Sequence, residues 1–182
     1  MSANISIEKD GIRSVERLIR PHVRRTPILQ MSGEELGLGS FEITLKLELF
    51  QHSGSFKTRG AFANMLLRQV PETGVVAASG GNHGAAVAFA ASKLGKPAKI
   101  FVPSVASPAK MERIRSYGAE LVVFGDRYSD ALAESQNWAE KSDTMFEHGD
   151  HQQWLLHAEY SRRKFRRRGP ELSRRAGSCL AR

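Results

Sequence analysis

Residues 74–95 read GVVAASGGNHGAAVAFAASKLG, and this stretch decides the fold. Residues 74–79 form a short apolar run of the length of a buried strand. A Ser-Gly-Gly turn follows. Residues 82–95 then read as a small-residue helix that stops at Gly95, with Pro97 just beyond. The alternation repeats downstream. AKIFVP (98–103) reads as a second strand, and residues 107–118 as a helix with Ser107 as N-cap, Pro108 in the first turn and Gly118 as the stop. AELVVFG (119–125) reads as a third strand and residues 127–142 as a third helix. All three strands read as apolar on both faces, the pattern of parallel strands covered by helices. Strands alternating with helices at this spacing argue for right-handed βαβ units. The expected class is α/β, a three-layer domain built on a parallel sheet.

Upstream, residues 7–20 carry apolar positions at helical spacing (Ile12, Val15, Leu18, Ile19), and Pro21 ends the pattern. RTPILQM (25–31) reads as a short extended piece with Pro27 at an edge. EITLKLEL (42–49) alternates over Ile43, Leu45, Leu47 and Leu49, the period of a half-buried strand. TRGAFANMLLRQV (58–70) reads as a helix. After Met145 no further strand–glycine–helix unit is read.

The chain has 182 residues, 41% hydrophobic and 25% charged, ordinary for a globular protein. No apolar run approaches the roughly 18 residues of a membrane helix, and no membrane partner is expected. The first residues lack the basic start and apolar core of a signal peptide. The single cysteine, Cys179, excludes an internal disulfide framework, and a cytoplasmic location is expected. The net charge of +8 resides wholly in residues 161–182, where nine Lys/Arg oppose one acid, Glu171. The rest of the chain is balanced and offers no general reason to bind nucleic acid.

Two motifs carry chemistry. SGGNHG (79–84) lies where a parallel strand meets its helix, the general position of ligand sites in open α/β sheets. Its glycines let backbone N–H groups approach an anion, and a helix N-terminus favours negative charge. Asn82 can donate and accept, and His83 can titrate near neutrality. Neither the Walker A spacing nor G-x-G-x-x-G is present, so a carboxylate or small anion suits the loop better than a pyrophosphate. The alternative is a turn used only for packing. The second motif is SGSFKTRG (53–60), with Lys57 at the head of a helix. Attack on a carbonyl needs a neutral amine, and burial beside Phe56 and glycines lowers a lysine pKa from its usual ~10.4. The alternative is that Ser55 caps the helix and Lys57 points into water.

Together, SGSFKTRGAF and SGGNHGAAVAFAA resemble the fold type II (β-family) pyridoxal-phosphate enzymes, and most nearly the serine/threonine dehydratases and serine racemases. RTPILQ, KIFVP and SPAKMERIRSYGAELVVFG are similar to the same family, and the resemblance covers roughly residues 8 to 146. It implies pyridoxal 5'-phosphate as cofactor and no metal among these residues. Lys57 would bond the cofactor and act as the base, Phe56 would flank it, and Asn82 would bond its 3-hydroxyl oxygen. Ser79, Gly80, Gly81, Asn82 and His83 would grip the carboxylate of a small amino acid. The implied reaction is β-elimination from threonine or serine, giving a 2-oxo acid and ammonia. Racemases of this family place a serine at the position of Gly80, which has no acid to offer; this argues for a lyase over a racemase.

The resemblance assigns residues 1–50 to an incomplete large domain, residues 51–147 to a small α/β domain, and a homodimer to a full-length form. The family's second glycine-rich loop, which wraps the cofactor phosphate, its later serine or cysteine and its downstream metal ligands are not found. Most of the second domain is therefore expected to be missing, with Lys57 keeping a nearly ordinary pKa and this chain inactive alone. Residues 148–182 read as a non-homologous, disordered basic tail. A frameshift is preferred as its origin over a tail that binds an acidic partner such as nucleic acid or a membrane surface. His148, Asp150, His151 and His157 fit no standard metal spacing.

Overall fold

A computed structural model describes residues 9–147 of the protein. The expectations about residues 148–182, and the first turn of the helix expected from residue 7, lie outside the described residues.

Four strands form a parallel sheet in the order β5–β4–β3–β6: β3 (Val75–Ala78), β4 (Ala98–Val102), β5 (Glu120–Val123) and β6 (Met145–Phe146). Val75 pairs with Ala98 on one side and Met145 on the other, and Lys99 pairs with Glu120. Crossover helices α3 (Asn82–Lys93), α4 (Pro108–Arg115) and α5 (Tyr128–Ser142) connect them, preceded by α1 (Lys9–Ile19) and α2 (Lys57–Leu67). The parallel arrangement agrees with the sequence expectation.

The alternation along β3 sorts the two cores. Val75 and Ala77 face α1–α4 and pack with Val15, Phe62, Val87, Ile100 and Ile114. Val76 points the other way and packs with Phe101 and with Ala131 of α5. Helices therefore cover both faces, which makes the three layers. The alanine-rich surface of α3 lets it lie close to β3. A Cβ on Gly84 would fall 2.3 Å from the Ser79 carbonyl oxygen, so only glycine permits this approach of helix to strand.

Three expectations are corrected. Only β3 is buried along its whole length; in β5, Glu120 and Val123 are exposed, because this strand is an edge with one neighbour. The strand expected at 42–49 stops at Lys46 and gives way to a 3-10 turn, Glu48–Phe50. This strand, β2 (Glu42–Lys46), pairs antiparallel with β1 (Ile28–Ser32), and Leu45 and Leu49 remain exposed. Lastly, β6 adds a strand where order was expected to end. Two residues are too short for periodicity to announce.

Candidate active site

Both motifs sit at helix heads. α3 opens directly from the carboxyl end of β3, with Gly81 at its N-cap position and no side chain bonded there. The Gly81 N–H instead donates to Ser79 Oγ at 3.2 Å. The first N–H groups of α3 thus remain available to an anion. Asn82 is exposed, Ser79, Gly80 and Gly81 are half-buried, and His83 is buried.

α2 opens likewise without a side-chain cap, and packs along α3. The turn before it is specialised. Ser53 holds a left-handed conformation (φ 53°), rare outside glycine, and Gly54 follows at φ 66°. The buried Thr58 hydroxyl donates to the His52 carbonyl, which leaves Ser53 Oγ to donate to Thr58 Oγ1 at 2.7 Å. The His52 ring stacks on Phe89 of α3, their centroids 4.8 Å apart. Arg59 and Glu48 form a two-pronged ion pair (2.7 and 2.8 Å), to which Thr26 Oγ1 donates at 2.6 Å. Burial, the largest influence on Glu48, pushes its pKa up. The bonds from Arg59 and Thr26, with the charges of Arg59 and Lys46, outweigh it and hold the carboxyl below its ordinary range. The lead-in to Lys57 is thereby fixed to both α3 and the segment at 48.

Lys57 itself is half-buried, its Nζ 5.3 Å from the centroid of the exposed Phe56 ring. Desolvation lowers its pKa. The direction is the one expected from partial burial beside Phe56, which disfavours the charged ammonium. Ser55 is not the cap; Phe56 occupies that position. The Ser55 hydroxyl is buried and makes no hydrogen bond among the described residues.

The family profile described as "Pyridoxal-phosphate dependent enzyme" matches residues 19–162. The chain belongs to this family. The match runs beyond residue 146, where the sequence reading ended the resemblance. Over 115 residues the chain is 41% identical to phenylserine dehydratase of Ralstonia pickettii, spanning 62% of this chain and 35% of that protein. It is 36% identical over 141 residues to L-threonine ammonia-lyase of Geobacter sulfurreducens, spanning 75% and 34%. The structure of maize serine racemase superposes with a TM-score of 0.75 at 29% identity, covering 88% of this chain and 48% of that one. The chain thus spans about a third of the length of these curated relatives. The fold is that of the fold type II members of the family, and pyridoxal phosphate is the family's cofactor.

The residues present suit one side of that cofactor. A lysine amine of lowered pKa fits an aldehyde, an exposed aromatic ring fits the pyridine, and the orphaned Ser55 hydroxyl and exposed Asn82 amide are free for a polar ligand. No cluster of His, Cys, Asp or Glu that could hold a metal occurs among the described residues, and no helix there is long and apolar enough to cross a membrane. Sequence reading missed two buried side chains behind the site, Asn64 and Glu147. Asn64 gives no signal because it lies inside a helical run, and Glu147 because it follows a two-residue strand.

Proposed function

We propose that this chain carries the lysine-bearing part of a pyridoxal-phosphate-dependent dehydratase acting on threonine or serine. What carries this reading is the placement of two uncapped helix heads on packed neighbours, one bearing Lys57 and the other the 79–83 loop. When bound, the cofactor supplies the electron sink for breaking the Cα–H bond. Lys57 Nζ would hold the cofactor and serve as the base that takes the substrate's α-proton. Phe56 flanks the cofactor ring, and the Asn82 amide bonds its 3-hydroxyl oxygen. Ser79, Gly80, Gly81, Asn82 and His83 hold the substrate carboxylate against the positive end of α3. The β-hydroxyl would leave as water with the proton that Lys57 took from Cα, and hydrolysis of the unsaturated amine would give the 2-oxo acid and ammonia.

Support for the substrate class comes from the relatives' names: threonine, serine and phenylserine are all β-hydroxy amino acids. Residues 51–147 form the small domain in this reading, and residues 1–50 belong to a larger one. The exposed side chains of Ile28, Leu29, Leu38, Leu49 and Phe50 fit a surface that further protein covers. The test joins residues 1–147 to the remainder of the Geobacter sulfurreducens L-threonine ammonia-lyase. Release of 2-oxo acid from threonine or serine, lost in Lys57→Ala, is expected. A soluble hybrid that releases none, or that keeps its activity in Lys57→Ala, contradicts the reading.

A further inference from the structure

Glu147 follows β6 and is 1% exposed. It meets three elements at once. Its N–H donates to the Val76 carbonyl at 2.8 Å, extending the ladder to β3. Its Oε1 accepts from Asn64 Nδ2 of α2 at 2.6 Å. Its carbonyl oxygen lies 3.4 Å from His83 Nε2 of α3. Asn64 stands seven residues after Lys57, nearly two helical turns, so the two lie within about 20° of one face and about 10 Å apart along a rigid helix. His83 directly follows Asn82. Each contact therefore leads by a short, stiff path to a residue of the candidate site.

We propose that Glu147 is a positioning residue, which sets the Lys57 helix and the 79–83 loop in one register through Asn64 and His83. The inference rests on the reading of those two elements as one site. Oε2 has no hydrogen-bond partner among the described residues, and burial raises the carboxyl pKa to about 8, against weaker opposing effects of Asn64 and Arg68. At neutral pH the side chain is therefore a neutral acid. Of the groups facing it, α2 contributes Asn64, the residue just past its end contributes the cation Arg68, and α3 contributes His83. β3 is apolar there, and Ala131 and Ala139 of α5 pack on the opposite face of the sheet. Ionisation places a charge in this buried pocket, which the Asn64 amide and the Arg68 cation offset less than burial costs, and loosens the register.

The test is a pH titration of the backbone amides of Lys57, Asn82 and His83 and the Asn64 side-chain amide, followed by nuclear magnetic resonance in the 182-residue chain without cofactor. Wild type is expected to show one common inflection near pH 8 in all four signals. In Glu147→Gln, which keeps an acceptor for Asn64, the signals stay at their neutral-pH positions and the inflection is lost. In Glu147→Leu, where Asn64 loses its partner, the Lys57 and Asn82 signals shift at every pH. An inflection that persists in Glu147→Gln belongs to another group and overturns the proposal. So does a Glu147→Leu variant in which only Asn64 moves. Because the cofactor takes no part, failure here leaves the dehydratase reading standing, and an inactive hybrid leaves this result standing.

Discussion

A β-carbon placed on Gly80 falls 2.8 Å from the Cβ of Ala106, closer than real Cβ atoms approach one another. The 79–83 loop and the turn before α4 thus abut, with room for glycine alone at position 80. A racemase needs a proton donor on the far face of the substrate, and a serine here is the expected source. This backbone does not admit one as it stands.

The Gly80→Ser variant is therefore expected to lose about 1–3 kcal/mol of stability by overpacking. Adding Ala106→Gly should return most of it. Chemical denaturation of the two variants measures this directly. An unchanged midpoint in Gly80→Ser would show that the turn yields without cost.

The ion pair between Arg59 and Glu48 predicts a second outcome. Their side chains are 17% and 15% exposed, so truncating Arg59 leaves a largely buried Glu48 carboxylate without its guanidinium partner, though Thr26 still donates to it. Arg59→Ala should cost about 3 kcal/mol. The Glu48 carboxyl is held below its ordinary pKa, so the contribution is present above the unfolded-state value and fades as pH falls through the folded one. The difference between wild type and Arg59→Ala should accordingly shrink on acidification, as denaturation at a series of pH values would reveal.

Glu147 predicts the opposite trend. Its folded pKa, about 8, lies above the ordinary 4.5. Between these values the unfolded chain has released a proton that the folded chain retains. Stability is thus greatest below about 4.5 from this group and falls as pH rises to about 8, by at most about 1.4 kcal/mol per unit. Thermal melts from pH 5 to 9 should show a shallower decline in Glu147→Gln than in wild type. Equal slopes would mean that Glu147 ionises as readily folded as unfolded.

The architecture was legible where chemistry is local. Gly84, Gly95 and Pro97 punctuate α3, and the apolar runs at 75–78 and 100–102 are buried as their composition demands. Ser107 takes the N-cap position, although its side chain makes no capping bond. Legibility failed where a residue's neighbours are distant in sequence. Nothing near Glu120 or Val123 marks β5 as an edge. Asn64 and Glu147 are 83 positions apart, and only the closing of β6 on β3 brings them together.

In the proposed reading, Lys57 is the lysine that takes up pyridoxal phosphate. The most direct measurement is borohydride reduction of the 182-residue chain with the cofactor at limiting concentration, with the modified residue located by peptide mass spectrometry. Reduction captures even weak binding, and weak binding is expected because the described residues hold no second glycine-rich loop for the phosphate. Phosphopyridoxyl label is expected to concentrate on Lys57, whose partly desolvated amine has a lowered pKa, over surface lysines such as Lys93 and Lys110. Label spread over those surface lysines, with Lys57 taking no more than they do, would contradict it.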